Sequence, residues 1–372
     1  MIKKIFTLFC LCVLLTGCGN KNNNITVLKF STWGSASEMK ILAPIIKEFE
    51  LKNPDIKIEL MHIPQDYFKK LHLLFASNLA PDVIFINNLN LPVYKNFLIK
   101  LDNYIDKKEY FEQPISALSC DGNLYAIPRD ISVMVIYYNK DIFNKHHISY
   151  PANNWTIDDM LKIAIKLTDK NSWGISYEQN MNYIIPYLQA FNGGILDKNY
   201  NYIGENPNSK KGAKFYNDLA YKYHCAPTVA QTGSKTQAQL FLEGKLAMHL
   251  TGRWMIPKYR ECANFDWDII NFPKCSAPSD ASGWAISKTS KHKDSAIKFV
   301  LFLSEKRNIA KISNDGLIVP ARRDVANSDE FLSGKPHHSD LFLYSVEHSN
   351  VSPISNKYNQ ITDKLNDKLF NF

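Results

Sequence analysis

Hydrophobic residues in the first part of the chain recur at every second position in some stretches and at helical spacing in others, and the two patterns alternate. Period-two alternation predicts strands, whereas a hydrophobic residue every three or four positions predicts helices. The predicted order is a strand at 25–30, a helix at 35–53, a strand at 56–60, a helix at 65–78 and a strand at 82–87. This β-α-β-α-β order predicts a parallel sheet with helices on both faces.

The alternation of helices and strands continues through the rest of the chain. Further strands are predicted as a pair within 124–139, at 246–250 and at 285–287, and further helices at 156–167, 209–223, 236–243 and 293–304. Thr156 has the side chain and the position of a helix N-cap. No internal repeat or heptad pattern interrupts this order, so we expect an α/β fold throughout.

The first residues have the layout of a secretory signal. Two lysines precede an apolar run at 5–15, which is shorter than the ~20 residues of a membrane span. The run ends in the letters LTGC at Cys18, which resemble the bacterial lipobox; an ordinary signal peptide with a chance cysteine is the alternative. Residues 1–17 are therefore predicted to be a signal peptide, and residues 18–24 a tether lipidated at Cys18.

Size and charge narrow the class of protein. Removing 17 of 372 residues leaves 372 − 17 = 355, and cores tend to split above ~250–300 residues, so we expect two domains. The formal net charge is +8, but the lysines are spread along the chain, so no nucleic-acid partner is indicated. Only six arginines occur, and four of them fall in turn-like segments: Arg129, Arg253, Arg322 and Arg323.

Four cysteines would remain in the mature chain after the signal is removed and Cys18 is lipidated: Cys120, Cys225, Cys262 and Cys275. An oxidising compartment permits disulfides, and four thiols allow three pairings. Their spacings match no zinc pattern. Buried free thiols are the equal alternative.

Candidate binding residues follow the predicted strands. Ligands of open α/β sheets bind outside the carboxyl ends of the strands. Three tryptophans lie beside glycine near strand ends, namely Trp33, Trp254 and Trp284. A single such tryptophan is most simply a core residue, but three together indicate an aromatic cleft, which suits the apolar faces of a sugar. Polar groups are expected beside them from Ser31, Asp82, Asn87, Arg129, Asp130 and Arg253.

Catalytic and metal-binding patterns are absent from the sequence. It contains no G-x-S-x-G, H-E-x-x-H, P-loop or G-x-G-x-x-G motif. Asp82 and Asp130 are conceivable as a carboxylate pair, but nothing fixes them at the separation that glycoside hydrolysis needs. We therefore expect no enzyme, no cofactor and no metal site.

Ten segments together resemble a family. They are "FSTWGS", "EFELKNPDIKIE", "APDVIFIN", "LYAIP", "VIYYNKDIF", "NNWTIDDMLKIAIKL", "FNGGIL", "FLEGKLAMHLTGRW", "SGWAISKTSKHKDSAIKFVLFLS" and "GLIVPARRDV". Each alone is weak, but their order and spacing over the mature chain are similar to extracellular solute-binding lipoproteins of ABC importers. The similarity is to the branch of maltodextrin- and glycerol-3-phosphate-binding proteins.

The resemblance implies a two-lobed periplasmic-binding-protein fold, with a mostly parallel sheet and flanking helices in each lobe and the ligand cleft between them. It places lobe one at 25–130 plus 281–318 and lobe two at 131–280 plus 319–372. Trp254 falls where many members place an aromatic that stacks on sugar, and Gly193 and Gly194 fall in the corresponding lobe-two loop. Ser132 falls near a position that is acidic in some maltodextrin binders, and Arg253 beside Trp254 is a second departure, which suits an anionic group.

The resemblance also implies the function and the partners. We expect a monomeric carrier that binds a sugar or oligosaccharide by hinge closure and delivers it to ABC permease subunits from the bacterial cell envelope, where a lipid at Cys18 anchors it to the membrane. One alternative solute is a phosphorylated polyol, such as glycerol 3-phosphate or its diester. A surface lipoprotein enzyme of the glycosidase type is the third hypothesis.

Overall fold

Two mixed sheets flanked by helices, together with a small two-stranded antiparallel sheet, form the protein in this computed structural model, which describes residues 25–273, 280–349, 351 and 353–370. Cys18 and Cys275 lie outside these residues, and Cys120, Cys225 and Cys262 are free thiols. Within the described part of the chain, no helix combines the length and the apolar character needed to cross a membrane.

The strands are β1 (Thr26–Thr32), β2 (Ile56–His62), β3 (Val83–Asn87), β4 (Ser119–Cys120), β5 (Asn123–Leu124), β6 (Ile127–Ser132), β7 (Met134–Asn139), β8 (Trp173–Ile175), β9 (Leu246–Gly252), β10 (Trp267–Asn271), β11 (Asp280–Ile286) and β12 (Val319–Pro320).

The α-helices are α1 (Ala36–Lys52), α2 (Tyr67–Ala76), α3 (Leu91–Tyr94), α4 (Glu112–Ala117), α5 (Lys140–Lys145), α6 (Ile157–Leu167), α7 (Met181–Ala190), α8 (Pro207–Tyr221), α9 (Val229–Thr232), α10 (Gln237–Leu242), α11 (Ile256–Cys262), α12 (Lys293–Leu303), α13 (Lys306–Asn314), α14 (Arg323–Ala326), α15 (Asp329–Leu332), α16 (Asp340–His348) and α17 (Tyr358–Phe370). Short 3-10 helices lie at Lys95–Phe97, Asp102–Tyr104, Lys107–Glu109 and Arg253–Met255.

The first sheet has the strand order β12-β6-β11-β3-β1-β2. β1 pairs in parallel with β2 and β3, as the sequence predicts, whereas β11 and β12 add antiparallel pairings. Its core includes Phe30, Phe49 and Phe85, which are fully buried beneath the flanking helices.

The second sheet has the strand order β10-β7-β9-β8, in which only the β8–β9 pairing is parallel. The expected α/β fold is confirmed, but both sheets are mixed rather than mostly parallel. Two strands account for most of the antiparallel pairs: β7 follows β6 of the first sheet after one residue, and β11 follows β10 of the second sheet, and each runs antiparallel to both of its neighbours. α6 covers this sheet and begins at the predicted N-cap Thr156, whose side chain forms a reciprocal capping box with Asp159.

The chain crosses between the sheets at three places. β6 ends at Ser132 in the first sheet and β7 begins at Met134 in the second, so the predicted strand pair within 124–139 is divided between two sheets. The second crossing connects β10 to β11. After β12 the chain returns, and the side chains of α15, α16 and α17 pack into the core of the second sheet.

Candidate functional site

At these crossings the ends of the strands of one sheet lie close to the ends of the strands of the other. In the first sheet, the carboxyl ends of β1, β3 and β6 lie at the same edge as the start of β11, because β11 runs antiparallel to its neighbours. In the second sheet, the start of β7 lies beside the end of β9, with Met134 opposite Gly252. The carboxyl-end side chains of the first sheet are thus placed at the boundary between the sheets, where binding residues are expected in such folds.

A cavity of about 140 Å³ lies at this boundary. From the first sheet and the first crossing it is lined by Leu89, Ser132, Val133 and Asp280. From the second sheet and its helices it is lined by Met134, Asn182, Tyr183, Ile185, Trp254 and Tyr358. Because both halves of the molecule supply the wall, a solute held here contacts both of them.

A wider cavity of about 570 Å³ lies on the Asn88 side of the same boundary. Asn88 lines it and also lies beside Asp280, which lines the smaller cavity. Its walls come from segments of both halves, at 116–121 and at 353–356, and include Tyr200, whose side chain is exposed. This second space provides room for a solute much larger than the first cavity.

Trp254 presents an exposed aromatic face at the smaller cavity. It is 38% exposed, although it is among the largest apolar side chains of the protein. Its ring lies directly against the backbone of Gly252, because a Cβ built on that glycine would fall 1.9 Å from Cζ3 of Trp254. Gly252 therefore lets the chain turn back on itself with the indole flat against it.

We expect Gly252→Ala to lower the affinity for a bound solute about tenfold, because the added methyl group must push the Trp254 ring out of place. The backbone at Gly252 is extended, so alanine itself is not strained there and the melting temperature should change little. Isothermal titration calorimetry measures the affinity. Gly194→Ala is the matched control, since its new methyl group meets only ordinary contacts; an equal loss in both variants would contradict the steric explanation.

Asp280 is the acidic residue of the cavity. It pairs in register with Ser132 and lies near Asn88 and Tyr358. Loss of hydration raises the pKa of its carboxyl to about 6, although the Asn88 side chain favours the ionised form. The described residues form no ion pair with it, so above that pH the carboxylate is charged without a counter-ion in the part of the chain that the structure describes.

This gives a stability prediction for Asp280→Asn in the absence of solute. A carboxyl whose pKa is raised on folding destabilises the protein once the unfolded chain ionises; the cost is absent at pH 3, grows between the ordinary pKa of 3.8 and the folded value of about 6, and is complete above it. The variant should be more stable by on the order of 1–2 kcal/mol at pH 7, and equal to the parent at pH 3. Thermal unfolding across this pH range measures the difference. Asp218→Asn, on α8 and outside the cavity, is the control, and the same pH profile there would contradict the prediction.

Four predicted residues of the first sheet lie together but are engaged with one another. Trp33 packs against Phe85 at 4.3 Å between ring centroids, and Arg129 stacks over the same ring at 4.1 Å. Arg129 also pairs with Glu38 and Asp130. The Ser31 hydroxyl is buried against the Tyr67 hydroxyl at 2.9 Å. This cluster forms a rigid wall at the sheet edge but does not line the smaller cavity.

Three other predicted residues lie away from the cavity or already form hydrogen bonds within the protein. Asp82 precedes β3 at the opposite edge of the sheet, where it accepts hydrogen bonds from the Lys29 N–H and the Ser290 hydroxyl. Trp284 is 2% exposed and belongs to the core, because it lies within β11 rather than before it. Asn87 is at the correct edge, but its side-chain oxygen accepts two hydrogen bonds from Asn90.

The remaining predicted residues, apart from Ser132 and Trp254, contact other parts of the protein and do not line the small cavity. Gly193 and Gly194 lie against Ser209, whose hydroxyl bonds to the backbone of Gly194. Arg253 is 3% exposed and points away from the cavity, with its guanidinium 3.9 Å from the centroid of the Phe331 ring. The structure therefore corrects the expectation that Arg253 meets an anionic group of the solute, since it does not line the cavity.

Sequence reasoning missed Asn182, Tyr183, Asp280 and Tyr358. Each comes from a different part of the chain than Trp254, and long-range packing alone brings them together. Asp280 could have been suspected from the sequence, since it lies two residues before Ser282-Gly283-Trp284, a segment whose tryptophan was a predicted binding residue. No pattern in the sequence singles out Tyr358, which begins a helix near the end of the chain.

Comparisons with known proteins agree on one family. A model of the bacterial extracellular solute-binding protein family matches residues 44–338. The galactooligosaccharide-binding protein of Bacillus subtilis is 23% identical over 368 residues, which cover 90% of this chain and 84% of the relative. The maltotriose-binding protein of Pyrococcus abyssi is 24% identical over 86% of this chain and 72% of the relative.

Solved structures show the same fold. An ABC substrate-binding protein from Listeria monocytogenes in complex with cycloalternan superposes with a TM-score of 0.83 at 27% identity, covering 92% of this chain and 93% of that chain. The maltose-bound MalE3 of T. maritima gives a TM-score of 0.82 at 18% identity over 93% and 95%. The expected two-lobed fold is thus confirmed.

Proposed function

Since this chain belongs to the bacterial extracellular solute-binding protein family, we propose that it captures a sugar or oligosaccharide between its two lobes and delivers it to an ABC permease. The observation that carries the proposal is the cavity lined by both halves of the molecule, with the face of Trp254 exposed in it. A flat aromatic surface beside a few polar groups suits the apolar face and hydroxyl rim of a sugar.

The proposed mechanism is hinge closure. Each half supplies only part of the cavity wall, so a solute gains its full set of contacts only when the halves approach. Binding then shifts an open–closed equilibrium toward the closed form. The hinge is the set of crossings, with Val133 between β6 and β7 at the first of them. The strand pairing moves the expected lobe boundaries by one or two residues, because β6 to Ser132, β11 from Asp280 and the strand β12 all belong to the first sheet. We therefore assign lobe one to 25–132 plus 280–320 and lobe two to 133–279 plus 321–372.

The size of the site supports an oligosaccharide over a single sugar. Pockets that enclose drug-sized ligands measure ~300–1,000 Å³, and the smaller cavity, at about 140 Å³, is below this range. The adjoining cavity of about 570 Å³ extends the space along the same boundary. One end of the solute would enter the small cavity and the rest would lie in the wider one.

The phosphorylated-polyol alternative lacks its expected arginines in both cavities, and the cations that line the wider cavity are Lys95, which is paired with Asp121, and Lys198. Arg253 was its proposed phosphate ligand, but this side chain is buried against Phe331 and does not line either boundary cavity. Arg129, the second candidate, is paired with two carboxylates. A phosphate in the small cavity would instead meet the Asp280 carboxylate, which repels it.

The attachment to the membrane is also proposed. The relatives are solute-binding proteins of an extracellular family, and the lipobox-like sequence at Cys18 supports lipid anchoring in the cell envelope. A single chain carries both halves of the cavity wall, so a monomer suffices for capture.

A thermal-shift screen followed by calorimetry tests the function. Neutral mono- and oligosaccharides form one arm, and glycerol 3-phosphate and glycerophosphodiesters form the other. We expect a marked rise in melting temperature with a saccharide and none with the phosphates; a rise with the phosphates alone would overturn the sugar assignment. Prolonged incubation with the bound saccharide should release no shorter sugar, whereas steady release would indicate a glycosidase.

A further inference from the structure

The residues that line the small cavity combine aromatic rings with a carboxyl group, which is unusual for a site that binds only neutral sugars. Three aromatic side chains line it, from Tyr183, Trp254 and Tyr358, together with the Asp280 carboxyl. Among the described residues of its wall there is no lysine, arginine or histidine. The cavity therefore joins aromatic faces, which carry negative charge at their centres, to a negatively charged group.

The charged side chains on the elements around Asp280 leave its negative charge in place. On β6, Arg129 is already paired with Asp130 and with Glu38. Beside Tyr183 on α7, Glu178 is a further carboxylate. On α7 and α17, Tyr183 and Tyr358 are neutral, because burial raises the pKa of both hydroxyls. The described surroundings thus provide no counter-charge for an ionised Asp280.

An alkylammonium group would supply the positive charge that this cavity lacks, and its methyl or methylene groups would fit against the aromatic side chains. Aromatic faces attract a cation within ~6 Å of the ring centroid, and cages of aromatic rings bind choline and methylated ammonium groups. A dry cavity of ~150 Å³ in another protein accommodates one benzene molecule. The cavity of about 140 Å³ therefore has room for a trimethylammonium group or an aminomethyl segment, but not for a complete hexose.

We propose that the natural solute carries a positively charged nitrogen, and that this nitrogen occupies the cavity between Trp254, Tyr183 and Tyr358 with Asp280 as its counter-ion. The inference rests on the proposed function and refines its solute class to a saccharide or polyol derivative with an ammonium group. Two sources share this chemistry, namely the protonated amine of an amino sugar and the quaternary nitrogen of a choline ester.

Paired probes that differ in charge but hardly in shape test the proposal in the full mature chain. Choline is compared with 3,3-dimethyl-1-butanol, its uncharged carbon isostere, and 6-amino-6-deoxyglucose, which carries an aminomethyl group, with glucose. Each probe is titrated at pH 7.5 by calorimetry. We expect at least one cationic probe to bind tenfold or more tightly than its neutral partner. The pair that shows the difference identifies the source of the nitrogen.

Asp280→Asn provides the second arm, with Asp218→Asn as a charge-matched control outside the cavity. The first variant should bring the ratio of cation affinity to neutral-probe affinity close to one, whereas the control should keep the ratio of the parent. In the parent, cation affinity should fall as the pH drops from 7.5 to 5, because the proton and the ammonium group compete for one carboxylate.

The proposal is overturned if neither cationic probe is preferred or if Asp280→Asn leaves the preference intact. These outcomes are distinguishable from failure of the proposed function. A neutral oligosaccharide that produces a large thermal shift, together with indifferent cationic probes, removes the ammonium site and retains sugar capture. If no saccharide, neutral or amino, produces a thermal shift, the proposed capture of a sugar is itself wrong.

Discussion

Replacing Trp254 by alanine is expected to lower the affinity for the captured saccharide at least tenfold while the protein remains folded. Trp254 is the most exposed of the apolar side chains that line the cavity, and aromatic anchors at binding sites typically contribute ~2 kcal/mol or more. Because the ring is 38% exposed before any solute binds, its removal costs little core packing. Calorimetry with the best saccharide of the thermal-shift screen measures the affinity, and thermal unfolding monitors the fold.

The matched control is Tyr344→Ala. Tyr344 is an aromatic residue of the same half with similar exposure, but it stacks on His348 at the surface and does not line the cavity. Its removal should leave the affinity unchanged. Trp254→Phe should lose a fraction of the affinity, since a smaller flat ring remains. If Trp254→Ala binds as tightly as the parent, the exposed indole is not the platform for the solute.

The contrast between Trp254 and Trp284 shows how far sequence reasoning reaches. Both lie beside glycine near a strand edge, and the sequence treats them alike. Trp254 follows its strand and lies on Gly252 at the boundary, whereas Trp284 lies inside β11 and is buried by neighbouring strands. The difference is the extent of β11, which begins five residues before the predicted strand at 285–287. Element boundaries are set by long-range pairing, which local patterns do not encode.

Strand and helix positions were predictable because each is recorded in local periodicity. The helix α6 is an example, with its N-cap at Thr156 and buried residues at helical spacing. The assignment of strands to sheets was not, since β6 and β7 are separated by one residue yet pair in different sheets. Asp280 was missed for the same reason, because its partners Asn88 and Tyr358 lie far from it in the sequence.

The sequence position of Arg253 does not determine which way its side chain points. Its sequence position, between Gly252 and Trp254, favoured a ligand contact. The side chain instead turns behind the platform, where it lies 3.9 Å from the Phe331 ring centroid and 5.2 Å from that of Phe342. Its Nε and Nη1 have no hydrogen-bond partner in the described structure. The guanidinium thus connects the turn that carries Trp254 to α15 and α16 through stacking.

This position gives the largest expected effect on stability. Burial lowers the pKa of Arg253 to about 10, so at neutral pH it remains a cation and its desolvation cost is fully present. Arg253→Ala removes the stacked plane and leaves a cavity between two aromatic rings, which should lower the free energy of unfolding by about 2–4 kcal/mol. Arg253→Met keeps much of the volume and removes the buried charge, so its stability should equal or exceed that of the parent.

Urea unfolding of the two variants and the parent at pH 7 measures these differences, and calorimetry of each variant reports on the site. If the role of Arg253 is to support the platform by packing, Arg253→Met should retain solute affinity within about threefold, as expected for a volume-conserving change. A methionine variant as unstable as the alanine variant would show that the charge itself is needed. Loss of affinity in Arg253→Met at unchanged stability would instead return the guanidinium to the binding site, in contradiction to its place behind Trp254.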